Sequence, residues 1–290
     1  MNSGSSRGQS ADLLAGPYAA NGQRFVVECP DARLRRLVAS AFVDLLTDAQ
    51  PLRPTRFRVA PSPEHPGRYE VWRDDEMCEI VTSGHLMTHL VWQVTALVLQ
   101  TCAPRTPVHA AVVAINGRAV LVAGESYAGK STLAGWLTAR GWEFLTDELA
   151  LLEEVPGGWH VHPFPRPIGL RHPSPLDALL GGSPQHDSES LVPASRLGQV
   201  GNAARLSAVV LPGREPGLSR RLSAAHPATA LRLLMSHLPH GGIGGRAAFR
   251  QVARLTSSVP VFHLGVGDLD VADAQLRALA GPPGAPGGAR

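Results

Sequence analysis

Lysine is almost missing from this chain. Of its 27 basic residues, 26 are arginine and the single lysine is Lys130. Heavy use of Ala, Arg, Gly and Pro points to a GC-rich genome, where arginine codons displace lysine codons. A lysine kept against that drift suggests chemistry that a guanidinium does not supply. A compact ammonium on a flexible stem suits a phosphate cradle. Cysteine is scarce too: Cys29, Cys78 and Cys102 are odd in number and far apart. They read as reduced, buried thiols and not as a metal or disulfide framework. The 12 histidines show no metal-ligand spacing either. No apolar run reaches the roughly 18 residues of a membrane span, so no membrane association is expected. Met1–Gly16 lacks the basic-then-apolar order of a secretory signal, so a cytoplasmic location is expected. The net charge of +3 is too small to argue for nucleic acid.

What is present is an ordinary globular composition, 44% hydrophobic and 18% charged over 290 residues. That length suits one large domain or two modest ones. Residues 1–20 read as a disordered leader and 281–290 as a disordered Pro/Gly tail. Residues 21–104 read as a smaller α+β domain. Asp31 is placed to cap a helix over Ala32–Leu46, and Arg68–Trp72 with Glu76–Val81 read as a hairpin around Asp74–Asp75. Ser83 is expected to cap a helix running to Gln100.

Residues 105–280 read as α/β. Ala110–Ile115 and Ala119–Ala123 are expected strands joined at Asn116–Gly117, a strong hairpin turn signal. Ser131–Arg140 is an expected helix that Gly141 ends, and Trp142–Thr146 is the next strand. Later strands are expected at Leu206–Leu211 and Val259–Leu264, and helices at Pro227–His237, Ala247–Ser257 and Asp270–Leu279. Gly181–Ser190 and Gly241–Arg246 read as mobile polar or glycine-rich loops.

Gly124-Glu125-Ser126-Tyr127-Ala128-Gly129-Lys130-Ser131 fits the pattern G-x-x-x-x-G-K-[ST], with Thr132 following. A strand precedes it and a helix follows. Glycines let successive backbone N–H groups face a phosphate, and the helix N-terminus adds free N–H groups and positive dipole. Lys130 can reach the β- and γ-phosphates, and the Ser131 hydroxyl can ligate Mg²⁺. The expected ligands are therefore ATP and Mg²⁺. Asp147 and Glu148 follow the next strand. In a parallel α/β sheet ligands sit at the carboxyl ends of strands, so this pair is expected at the phosphate site. One acid would hold Mg²⁺ and the other accept a hydroxyl proton. A capping Asp beside a solvated Glu is the plainer alternative.

Residues 107–171 resemble the HPr kinase/phosphorylase family, and more closely its small bacterial relatives. The likeness rests on Val108-His109 leading to Asn116-Gly117, the P-loop, Leu145-Thr146-Asp147-Glu148-Leu149, and the proline-rich Pro163–Arg171 segment. The family's acid pair is usually Asp-Asp, where this chain has Asp147-Glu148. The resemblance implies a P-loop kinase core related to HPr kinase and phosphoenolpyruvate carboxykinase. It further implies phosphoryl transfer to a serine hydroxyl, with Asp147 as general base, Ser131 and Glu148 around Mg²⁺, and His109 near the transferred phosphate. Arg166, Arg171 and Arg246 are candidates for stabilising transferred charge.

The leading expectation is a kinase acting on a peptide or protein serine. A small-molecule kinase with the same core and a non-catalytic, nucleotide-gated recognition module are the alternatives. A homo-oligomer stays open.

Overall fold

The computed structural model describes residues 13–49, 53–182, 189–213, 222–239 and 245–280. The expected tail lies outside them. So do residues 183–188 and 241–244, most of the two expected mobile loops. The chain divides into two compact units, Met1–Thr101 and Cys102–Arg290.

The first unit carries a five-stranded sheet in the order β1-β2-β3-β4-β5. Its strands are β1 (Leu14–Ala20), β2 (Gln23–Glu28), β3 (Thr55–Pro61), β4 (Arg68–Arg73) and β5 (Glu76–Thr82). Strand β1 falls inside the segment expected to be a disordered leader. It pairs with β2 across the Asn21–Gly22 turn and buries Tyr18 completely. Helix α1 (Ala32–Ala41) starts where Asp31 accepts a hydrogen bond from the Leu34 amide, as the cap signal predicts, but it ends before the expected Leu46. A 3-10 turn over Val43–Leu45 continues it. Helix α2 (Leu86–Gln100) begins after His85, and Ser83 does not cap it. Tyr18, Phe25, Phe42 and Phe57 pack into an aromatic core, with ring centroids 5.2 to 5.8 Å apart.

The second unit is built on a mixed sheet in the order β6-β10-β11-β14-β8-β7-β9. Its strands are β6 (Thr106–His109), β7 (Ala111–Ile115), β8 (Arg118–Val122), β9 (Glu143–Thr146), β10 (Leu149–Val155), β11 (Gly158–His162) and β14 (Ala204–Gly213). A small separate sheet pairs β12 (Ile168–Arg171) with β13 (Glu189–Val192). Strand β15 (Leu222–Ala224) pairs with β16 (Val261–Gly265), and β16 lies parallel to the end of β14. The helices are α3 (Lys130–Ala139), the short α4 (Asp177–Leu180), α5 (Pro227–Ser236), α6 (Gly245–Ser258) and α7 (Leu269–Ala280).

Period-two alternation builds the layers. Val112, Ala114, Ala119 and Leu121 face one core with Ala230 and Leu234 of α5 and Val252 and Leu255 of α6. Ala111, Val113, Val120 and Val122 face the other, with Leu133 and Leu137 of α3 and Ala272 and Leu276 of α7. The central strands are therefore sandwiched between helices on both faces.

The sheet is mixed, and the expected Asn116–Gly117 hairpin makes β7 antiparallel to β8. Parallel pairing joins β8 to β14 and β14 to β16, whereas β7 is antiparallel to both β8 and β9. The cause is the tight turn at Asn116 (φ 53°) and Gly117 (φ 73°), which folds β7 straight back on β8. Two reversals cancel, so β8 and β9 run the same way without touching. Their carboxyl ends, Val122 and Thr146, emerge at the same edge of the sheet.

Candidate functional site

The glycine-rich loop with the G-x-x-x-x-G-K-S pattern leaves β8 at that edge and enters α3. Gly129 sits at φ 90°, a left-handed conformation that glycine adopts without strain, and it turns the chain into the helix. At Gly124 a side chain has no room: a Cβ there would come within 2.9 Å of the Ala128 Cβ. Lys130 is buried, and its Nζ donates to the carbonyl oxygens of Gly124 at 2.8 Å and Glu125 at 3.1 Å. Burial pushes the ammonium pKa below its usual value, helped by the positive charge of Arg171 and opposed by Glu148 and Asp147.

A cavity of about 490 Å³ opens above the loop. Ser126, Tyr127, Gly129, Lys130, Ser131 and Thr132 line it from the loop side. His109, Asp147 and Glu148 line it from the strand side, and Gly169 to Arg171 from β12. Gly124, Glu125 and Ala128 lie on the far side of the loop, against a second cavity of about 610 Å³. Arg246 sits in the first turn of α6 and does not line the first cavity.

The two acids have different surroundings. Asp147 is 1% exposed. Burial raises its pKa and the Glu148 charge adds to the rise; Arg166, a hydrogen bond with the Ser131 hydroxyl and the Gly169 amide oppose it. Its Oδ1 has no hydrogen-bond partner and faces Arg166 Nε at 3.5 Å. The Glu148 side chain is 40% exposed. Its Oε1 meets His109 Nδ1 at 2.9 Å, and its Oε2 accepts from Arg166 Nη2 at 2.8 Å. Burial pushes Glu148 up. The hydrogen bond from His109 and the charges of Arg166, His109 and Lys130 outweigh this and bring it down to about 2. Thr146 Oγ1 accepts from the amides of Glu148 and Leu149, which fixes the turn that splays the two carboxylates.

Residues 76–169 match the family described as "SynChlorMet cassette protein ScmC". That span includes the loop, His109, both acids and Arg166. Among solved structures the chain is similar to the Hpr(Ser) kinase/phosphatase from Coxiella burnetii. The identity is 16% and the TM-score 0.35, over 59% of this chain and 94% of that one. No curated protein matches the chain.

Three features were not foreseen from the sequence, although Arg166 itself was a candidate for stabilising transferred charge. Arg166 bridges both acids. His237, at the end of α5, stacks on His109 with centroids 6.1 Å apart. A third cavity, of about 560 Å³, adjoins the first at Gly129 and Thr132 and is lined further by Trp136, Pro175 and Val266 to Asp270. The loop after β16 closes it, and nothing local in either segment foretells that meeting.

Proposed function

We propose that this chain is an ATP- and Mg²⁺-dependent kinase that transfers the γ-phosphate to a hydroxyl group, a serine of a peptide or protein. One observation carries the reading. Lys130 and Ser131 of the phosphate loop share a single cavity with two acids delivered by a strand running in the same direction.

The fit to Mg²⁺ rests on Asp147. A buried carboxylate oxygen without a hydrogen-bond partner, on a side chain that shares the cavity with the Ser131 hydroxyl, is an oxygen donor of the right kind. Among the described residues no group of three or more His, Cys, Asp or Glu could hold a metal. A cation that takes its other ligands from phosphate and water suits Ser131 and Asp147. Held by Ser131 and Asp147, Mg²⁺ would offset the negative charge of the transferred phosphate.

The geometry supports a division of labour opposite to the one implied by the family resemblance. Asp147, beside Ser131, falls to the metal. Glu148 falls to the acceptor side, where it holds Nδ1 of His109 and leaves Nε2 to take the hydroxyl proton. Lys130 and the loop amides hold the β- and γ-phosphates. Thr132 and Trp136 line the adjoining cavity, which is the room assigned to the nucleoside in this reading.

The test is incubation with γ-labelled ATP and candidate acceptors. The matched family is described as a cassette protein, so peptides encoded beside this chain's gene come first. Label on a peptide serine, lost when that serine becomes alanine, supports the proposal. Label only on a small metabolite, or only free phosphate, refutes the acceptor assignment.

A further inference from the structure

The phosphate loop contains one strained residue. Tyr127 has φ 69°, in the left-handed region. The other non-glycine residues there among the described ones are Asn21, Asp74 and Asn116, the residue types that tolerate it. Tyrosine gains nothing from this backbone, and the residue is 74% exposed, so core packing does not hold it there. Backbone strain kept at a binding loop is a pointer to function.

The ring has one specific partner. Arg171, the last residue of β12, places its guanidinium carbon 4.1 Å from the Tyr127 ring centroid. Both residues line the phosphate cavity. None of the ion pairs among the described residues includes Arg171. Arg171 also lies near enough to Lys130 for the two charges to repel. The fold thus holds a second cation beside the loop lysine on a strained tyrosine, and the cavity's two acids are engaged elsewhere, Asp147 with Arg166 and Glu148 with His109 and Arg166. An anion with more than one charge resolves that arrangement. A guanidinium presents a planar fork of donors that matches phosphoryl oxygens, and stacking on an aromatic ring leaves its edge free to donate.

We propose that Arg171, carried on the ring of Tyr127, binds the terminal phosphate of the nucleoside triphosphate and so distinguishes triphosphate from diphosphate. This rests on the kinase reading above and adds a γ-phosphate contact from β12, opposite the loop.

The test is calorimetry on the full chain with Mg²⁺–ADP and with the non-hydrolysable triphosphate Mg²⁺–AMP-PNP. Arg171→Ala should weaken AMP-PNP about tenfold or more, the loss expected of a charge-assisted hydrogen bond, and leave ADP within about twofold. Tyr127→Phe keeps the ring and should keep the preference. Tyr127→Gly removes the ring and suits the left-handed backbone, so it should lose the preference with a Tm no lower than wild type. That variant separates a lost contact from a damaged fold. Equal weakening of both nucleotides by Arg171→Ala, or no weakening, overturns the proposal. So does a preference that survives Tyr127→Gly. If the wild type binds neither nucleotide, the kinase reading itself has failed.

Discussion

Removing the Arg166 guanidinium should cost this fold more stability than any other single change at the site. Arg166→Met keeps most of the side-chain volume and deletes the charge. Asp147 would then keep a 1% exposed carboxylate without its ion-pair partner. At 3.5 Å and an effective dielectric constant of about 20, the gross attraction lost is about 5 kcal/mol. Part of it returns through relaxation and through protonation of Asp147, so the net loss expected is about 3 kcal/mol, the lower end for breaking a buried pair. The pH dependence follows from the sign of each shift. Asp147 has a raised pKa, so its buried form is tolerated below the usual carboxylate value and is penalised as pH rises. Glu148 is depressed to about 2, so its stabilising contribution is present above about 4.5 and is lost as pH falls toward 2. Arg166 holds down both pKa values. The Asp147 part of the Arg166→Met penalty should therefore shrink as pH falls through a range above the usual carboxylate value, and the Glu148 part only as pH falls from about 4.5 toward 2. Urea unfolding at several pH values measures this. Arg166→Met combined with Asp147→Asn should recover most of the loss, because no uncompensated charge remains. An additive double variant, or a penalty independent of pH, would show that Arg166 acts by packing and not by charge.

The division between the acids can be tested in the same protein. Asp147→Asn should raise the Mg²⁺ concentration that half-saturates transfer, whereas Glu148→Gln should lower the transfer rate about 10²-fold with little change in that concentration. A Mg²⁺ titration of both variants decides it, and exchanged phenotypes would return the base to Asp147. Trp136→Ala should weaken ADP about tenfold and leave inorganic pyrophosphate unaffected, since base stacking is worth about 1–3 kcal/mol. Equal loss for both ligands would place the nucleoside elsewhere, with the cavity beside Arg232 and His263 as the next candidate.

The parts of the fold governed by local chemistry were legible. Asp31 caps α1, Asn116–Gly117 turns the hairpin, and a strand and a helix flank the phosphate loop. What escaped depends on distant partners. Leu14–Ala20 has small residues with Gly16 and Pro17 among them, and only pairing with β2 makes it a strand. Ile168–Arg171 pairs with β13, which lies beyond α4 in the chain, and that pairing carries Arg171 to the cavity. The direction of β9 depended on β7 lying between it and β8, an order that no local pattern encodes. The site residues announced themselves as types, not as contacts. The acids were visible; their bridging by Arg166 and the pairing of Glu148 with His109 were not.

The central claim is that the only lysine of the chain holds a nucleotide's phosphates. Calorimetric titration of Mg²⁺–ATP into wild type and Lys130→Ala tests it most directly, with phosphoryl transfer followed on the same samples. The account predicts saturable binding by the wild type, at least tenfold weaker binding by the variant, and no measurable transfer once the ammonium is gone. Equal affinity and equal turnover in the two proteins would contradict it.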